Sequence, residues 1–203
     1  LCSDISKDGK RLLIGGGDGN IILWDLATGD SLQVIHSYQQ PILDIHFNID
    51  ETQVVTSSWD ASMKIHNLKT GKRLQYWDFI EFGSAYNIMW GPNDLYLLTA
   101  QNKELRMWEI DTHEPIRNFV GHKDQISSLR LSTDQKTLLT ASWDSSIRLW
   151  DVGTGLMTAK LIDHSGAVHI AIFSQDEKLI YSAGADRIIR VWDTASSKVI
   201  RTF

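Results

Sequence analysis

Two sets of side chains in this sequence have the types used in nucleophilic catalysis. One is His122, Thr140, Asp144 and Trp150; the other is His164, Ser182, Asp186 and Trp192, repeating the first 42 residues later. An imidazole that activates a hydroxyl, with a carboxylate orienting the imidazole, is the arrangement of an acyl-transfer nucleophile. The duplication argues the other way. A catalytic constellation is built once, whereas a structural one returns with each unit of the fold.

Other candidate chemistries are weaker. Gly15-Gly16-Gly17-Asp18-Gly19-Asn20 has the composition of a phosphate cradle, but such loops join a strand to a helix whose N-terminus faces the anion. Here the glycines join two expected strands and no Gly-Lys-Ser/Thr follows, so hairpin glycine is the reading. The seven histidines, at 36, 46, 66, 113, 122, 164 and 169, include no i, i+4 pair of metal-ligand type. Cys2 is the one cysteine, which excludes an internal disulfide and a thiolate cluster. No metal and no cofactor are expected. Lys64, Arg106, Arg148 and Arg190 each stand two residues before a recurring ring position. They read as stems packed between units, with heads paired to acids, rather than as a basic ligand ring.

The elements that must position these residues are legible from a period. Trp24-Asp25, Trp108-Glu109, Trp150-Asp151 and Trp192-Asp193 are separated by 84, 42 and 42 residues, and His66-Asn67 fills the empty slot. Asp18, Asp60, Asn102, Asp144 and Asp186 each precede the ring position by six. Between marker and ring lies a short apolar run such as Ile147-Arg148-Leu149, and another lies upstream, such as Thr137-Leu138-Leu139-Thr140. Runs of this length read as strands buried on both faces. A more polar strand follows each Trp-Asp-like pair, and a fourth opens each unit. Four short antiparallel strands in a unit of about 42 residues, with turns every 8–12, describe propeller blades and leave no room for a long helix.

These in-phase copies make the chain resemble the WD40-repeat family over essentially its whole length. Repeat four is clearest, with Gly121-His122, Ala141-Ser142-Trp143-Asp144 and Ile147-Arg148-Leu149-Trp150-Asp151; repeat three departs most, reading Trp90-Gly91-Pro92-Asn93-Asp94 at its first hairpin. The resemblance implies an all-β WD40 β-propeller, with repeats at approximately 1–36, 37–78, 79–120, 121–162 and 163–203. It also implies a longer ring of seven or more blades, of which five are visible here; a closed five-blade ring is the alternative. The family's implication for the duplicated sets is a hydrogen-bond chain from indole through hydroxyl and imidazole to carboxylate. Repeat one carries Ile14 at the hydroxyl position, and repeat two has Tyr38 and His66 at its outer positions.

Trp59 and Trp143 do not belong to this pattern. Each directly precedes a marker Asp, in the turn between second and third strands. The resemblance places that turn on the face where partner peptides dock, and an exposed Trp is typical of interaction hot spots. Leu43 and His169, near the entries of first strands, are expected beside them. The aromatic segment Tyr76–Phe82 reads as a local plug replacing the missing Gly-His of repeat three, with a side-facing partner site as the alternative.

With 20 Lys and Arg against 25 Asp and Glu, the net charge is −5, which argues against a nucleic-acid coat. No apolar run is long enough to span a bilayer. The expectation is a non-catalytic scaffold for protein partners in a larger assembly, intracellular, cytoplasmic or nuclear. The alternative is a regulatory or sensing module of a multidomain protein whose enzymatic part lies elsewhere.

Overall fold

The computed structural model describes residues 2–78 and 84–203. It contains five sheets of four strands, each an antiparallel meander in which the strands lie in sequence order. The first holds β1 (Cys2–Ile5), β2 (Arg11–Gly15), β3 (Asn20–Asp25) and β4 (Ser31–His36). The second holds β5 (Ile42–Phe47), β6 (Gln53–Ser58), β7 (Ser62–Asn67) and β8 (Arg73–Asp78). The third holds β9 (Asn87–Trp90), β10 (Tyr96–Gln101), β11 (Glu104–Glu109) and β12 (Pro115–Phe119). The fourth holds β13 (Ile126–Leu131), β14 (Thr137–Ser142), β15 (Ser146–Asp151) and β16 (Met157–Ile162). The fifth holds β17 (Val168–Phe173), β18 (Leu179–Gly184), β19 (Ile189–Asp193) and β20 (Lys198–Thr202). Among the described residues the one helical segment is a 3-10 turn at Pro92–Asp94, and no helix is long and apolar enough to cross a membrane.

Burial follows strand position. β6, β7, β10, β14 and β15 are buried nearly throughout. The last strands β4, β8, β12 and β16 are mostly exposed, as their polar sequences anticipate. The chain divides into two compact units: residues 1–101 with 108–114, and residues 102–107 with 115–203.

In the first unit, Leu13, Ile21 and Leu23 of the first sheet pack with Ile42, Ile45 and Val54 of the second. A further cluster joins Met63, Ile65 and Trp77 to Ile88, Trp90, Leu97 and Trp108. In the second unit, Leu139, Ile147 and Leu149 pack against Val168, Ala171, Ile180 and Trp192. The core is thus a set of sheet-on-sheet layers.

Two irregularities recur. The third strand slips register just before Trp24, His66, Trp150 and Trp192. The first strand bulges at Leu43, Ser127 and His169, each falling between two register partners. A bulge re-aims the extra side chain without ending the strand. Each hairpin also needs a left-handed residue. The first sheet supplies Gly9, Gly19 and Gly29, while the fifth uses Glu177, Arg187 and Ser197 with φ of 57, 63 and 57°. At Gly19 the requirement is also steric, because a Cβ would lie 2.2 Å from the Tyr38 carbonyl oxygen.

Candidate functional site

The fourth sheet brings its four candidate residues together across one unit. Trp150 Nε1 donates to Thr140 Oγ1 at 2.9 Å, and Thr140 Oγ1 lies 2.7 Å from His122 Nε2. His122 Nδ1 is 2.9 Å from Asp144 Oδ2. An indole N–H can only donate and an ionised carboxylate can only accept. The Thr140 proton therefore points to Nε2, and Nδ1–H donates to Asp144. Asp144 also accepts the Lys123 amide, and its other oxygen takes both the amide and hydroxyl of Ser146. The fifth sheet repeats the geometry: Trp192 to Ser182 at 2.8 Å, Ser182 to His164 at 2.8 Å, and His164 Nδ1 to Asp186 at 2.9 Å.

Electrostatics match the neutral imidazole. Burial pushes His122 down to about 4, outweighing the opposing pull of Asp144. Burial works to raise Asp144, yet bonds from Ser146, the Lys123 amide and His122 hold it well below the ordinary carboxylate range. These distances would suit a catalytic triad, but Thr140 has no exposed surface and its hydroxyl is occupied on both sides. A reactant has no path to it.

The remaining sheets carry reduced versions. Trp108 Nε1 donates to Thr99 at 2.9 Å. In the second sheet the Tyr38 hydroxyl bonds the Thr56 carbonyl oxygen at 3.0 Å, standing where histidine stands in the fourth. His66 Nδ1 and Trp24 Nε1 are buried without a partner. For Trp24 the cause is local, since Ile14 occupies the position that Thr140 fills relative to Trp150. Ile14→Thr is therefore expected to add about 1 kcal/mol of stability by supplying the missing acceptor, read as a rise in the urea midpoint at unchanged slope. A fall would mean that the lost packing outweighs the new bond.

Of the recurring cations, Lys64, Arg148 and Arg190 are buried and Arg106 is half-buried. Arg148 lies 3.5 Å from Asp144, and Arg190 bonds Asp163 at 2.6 Å and Asp186 at 2.7 Å. Arg106 pairs with Glu104. Lys64 departs from the acid-paired expectation: its ammonium bonds the Ser37 carbonyl oxygen and sits 3.8 Å from the Tyr38 ring centroid.

Trp59 is 61% exposed and Trp143 46% exposed, each with its amide tied to the preceding segment, at Pro41 and Gln125. Leu43 is half-buried in the first unit and His169 exposed in the second. Of the segment 76–82, residues 79–82 lie outside the described residues; Trp77 is buried and stacks on His113 with centroids 4.4 Å apart.

One cluster escaped the sequence reading. His46 on β5 lies 3.5 Å from Asp4 on β1 and 3.3 Å from Asp44. Asp4 also accepts the Phe47 amide, and Asp44 the Ile88 amide of the next sheet. Burial opposes charge on His46, but the two carboxylates overcome it and raise the imidazole to about 9. Asp4 and His46 are one repeat period apart, on the first strands of consecutive sheets, and the sequence reading did not pair them. Among the described residues no group of three or more His, Cys, Asp or Glu is placed to hold a metal ion.

Comparison with known proteins matches residues 113–151 and 155–193 to the family described as WD domain, G-beta repeat, and residues 2–82 to the Vps8 beta-propeller. The SIR4-interacting protein SIF2 of Saccharomyces cerevisiae is 24% identical over 71% of this chain and 30% of its own length. Eukaryotic translation initiation factor 3 subunit I of Bombyx mori is 24% identical over 70% of this chain and 47% of its own length. A guanine nucleotide-binding protein subunit beta-like protein of Encephalitozoon cuniculi is 25% identical over 58% of this chain and 36% of its own. The chain thus spans about a third to a half of the length of these relatives.

Proposed function

This chain belongs to the WD40-repeat β-propeller family, and on that premise we propose that it is a non-catalytic scaffold whose rigid turns dock protein partners within a larger assembly. Each repeat would contribute one blade, and the buried hydrogen-bond chains of His122–Trp150 and His164–Trp192 would hold those blades rigid. The observation that carries the reading is the exposure of Trp59 and Trp143 in equivalent turns. An indole left in water forgoes the stabilisation of burial, so its use is sought in contact with something else. Two relatives, a SIR4-interacting protein and a translation initiation factor subunit, are in keeping with service in complexes. Leu43, at the bulge of β5, would border the Trp59 turn, and His169, at the bulge of β17, the Trp143 turn. The reading involves no cofactor and no nucleic acid, and it places the protein inside the cell, in cytoplasm or nucleus.

A Trp59→Ala/Trp143→Ala double variant is the test. Each hot-spot indole is worth about 2 kcal/mol to binding, so partner capture should fall by well over tenfold while the thermal midpoint stays within a few degrees. A collapsed melt would mean that the indoles are hairpin packing. An unchanged partner list would overturn the docking role of these two indoles.

A further inference from the structure

The turns at one end of the second unit form a laced surface. The Ile126 amide bonds the Asn102 carbonyl oxygen, and the Trp143 amide bonds that of Gln125. The Lys123 amide bonds Asp144, the Ser127 hydroxyl bonds the Val168 carbonyl oxygen, and the Ser165 amide bonds Asp186. The Ala185 amide closes the series on the Ala167 carbonyl oxygen. Segments 102–103, 121–127, 142–146, 163–168 and 184–187 are thereby held to one another.

Charge on this surface is slightly positive, with Lys103, Arg106, Lys123, Arg148, Arg187 and Arg190 against Glu104, Asp124, Asp144, Asp163 and Asp186. Every acid but one is already engaged by a cationic or imidazole side chain: Glu104 by Arg106, Asp144 by His122 and Arg148, Asp163 and Asp186 by Arg190. Asp124 is the exception. Among the described residues, no ion pair forms at Lys103, Lys123 or Arg187. At the opposite turns of the same unit the balance shifts, where Asp134, Asp151, Glu177 and Asp193 make hydrogen bonds but no ion pairs. The free positive charge of the first end is therefore local, in a chain whose net charge is −5.

One further feature points to a ligand. A cavity of about 330 Å³ opens beside Lys103, with Leu105, Phe119 and Val120 in its wall.

Resting on the scaffold reading above, we infer that this face docks an acidic peptide segment, its carboxylates meeting Lys103, Lys123 and Arg187 and an apolar side chain lying against Trp143. Three unpaired cations and one indole suit a short carboxylate-rich segment better than a polynucleotide. A nucleic acid needs a longer basic track to release counterions along its backbone.

The test is selection of a displayed random twelve-residue peptide library on the immobilised chain, followed by anisotropy titration of the enriched peptides. Enrichment in Asp and Glu around an apolar anchor is expected. Affinity should fall at least tenfold in a Lys123→Glu/Arg187→Glu variant and in Trp143→Ala. It should be unchanged in Lys136→Glu/Lys178→Glu, which reverses charge at the opposite turns. A melting curve on each variant checks folding; if the first double variant unfolds, Lys103→Glu and the salt dependence of binding take its place. Enriched peptides without acids overturn the acidic inference and leave the scaffold reading standing. Peptides lost with Trp59→Ala but not with Trp143→Ala overturn the location. Selection of nothing sinks both readings, and stronger binding of a fluorescent oligothymidine than of any peptide replaces the peptide by nucleic acid.

Discussion

Trp150→Ala is expected to lower the stability of the second unit by about 3–5 kcal/mol, the range for emptying a large aromatic site in a packed core. Trp150 is fully buried, meets Phe119 edge-on with centroids 6.0 Å apart, and carries the Arg148 guanidinium 5.9 Å from its ring. Its loss leaves a cavity and also removes the donor that fixes Thr140 Oγ1. Urea unfolding followed by fluorescence measures the change. Trp24→Ala is the comparison: that indole is only half-buried and its Nε1 already lacks a partner, so its removal should cost less. Equal losses would mean that ring volume alone matters and the hydrogen-bond chain contributes nothing. Thr140→Ala should lie between them, near 1–3 kcal/mol, because it orphans two buried groups. Were it instead to abolish a measurable hydrolysis without moving the melt, the catalytic reading would return.

Asp144→Ala should be comparably damaging at neutral pH, about 3–5 kcal/mol, since it strips a buried set of its anion while leaving Arg148 in place. The pH profile separates this from simple packing loss. His122 has a folded value of about 4 against 6.5 unfolded, so between those values the unfolded chain binds more protons. Stability must then fall as pH drops through that window, and fall further as Asp144 is protonated. His46 acts at the other end. Its folded value is raised to about 9, so its contribution is complete below 6.5 and disappears as pH rises through 9. The wild-type melting temperature should therefore describe a plateau with shoulders on both sides. His122→Gln should flatten the acid shoulder alone, and His46→Gln the alkaline one alone. A profile indifferent to both substitutions would show that neither imidazole titrates between these limits.

The period of 42 residues was enough to determine five four-stranded meanders, because burial alternates with strand position and the turn residues recur in phase. The hydrogen-bond chain through Thr140, Asp144 and Trp150 was expected from the resemblance to the WD40-repeat family, and the antiparallel hairpins bring those residues into contact. Even the gap at Trp24 could be read, since Ile14 has no oxygen to offer. What the sequence could not decide was anything formed between sheets. The His46 cluster joins carboxylates on β1 and β5 to amides of the following sheet, and such contacts depend on how close two pleated surfaces approach. The head of Lys64 was misread as acid-paired because its partner, a carbonyl oxygen, is not visible in residue types. The exposure of Trp59 and Trp143 was likewise a tertiary outcome. Indole favours burial as strongly as any side chain, and only the packed layers determine which rings are left outside them.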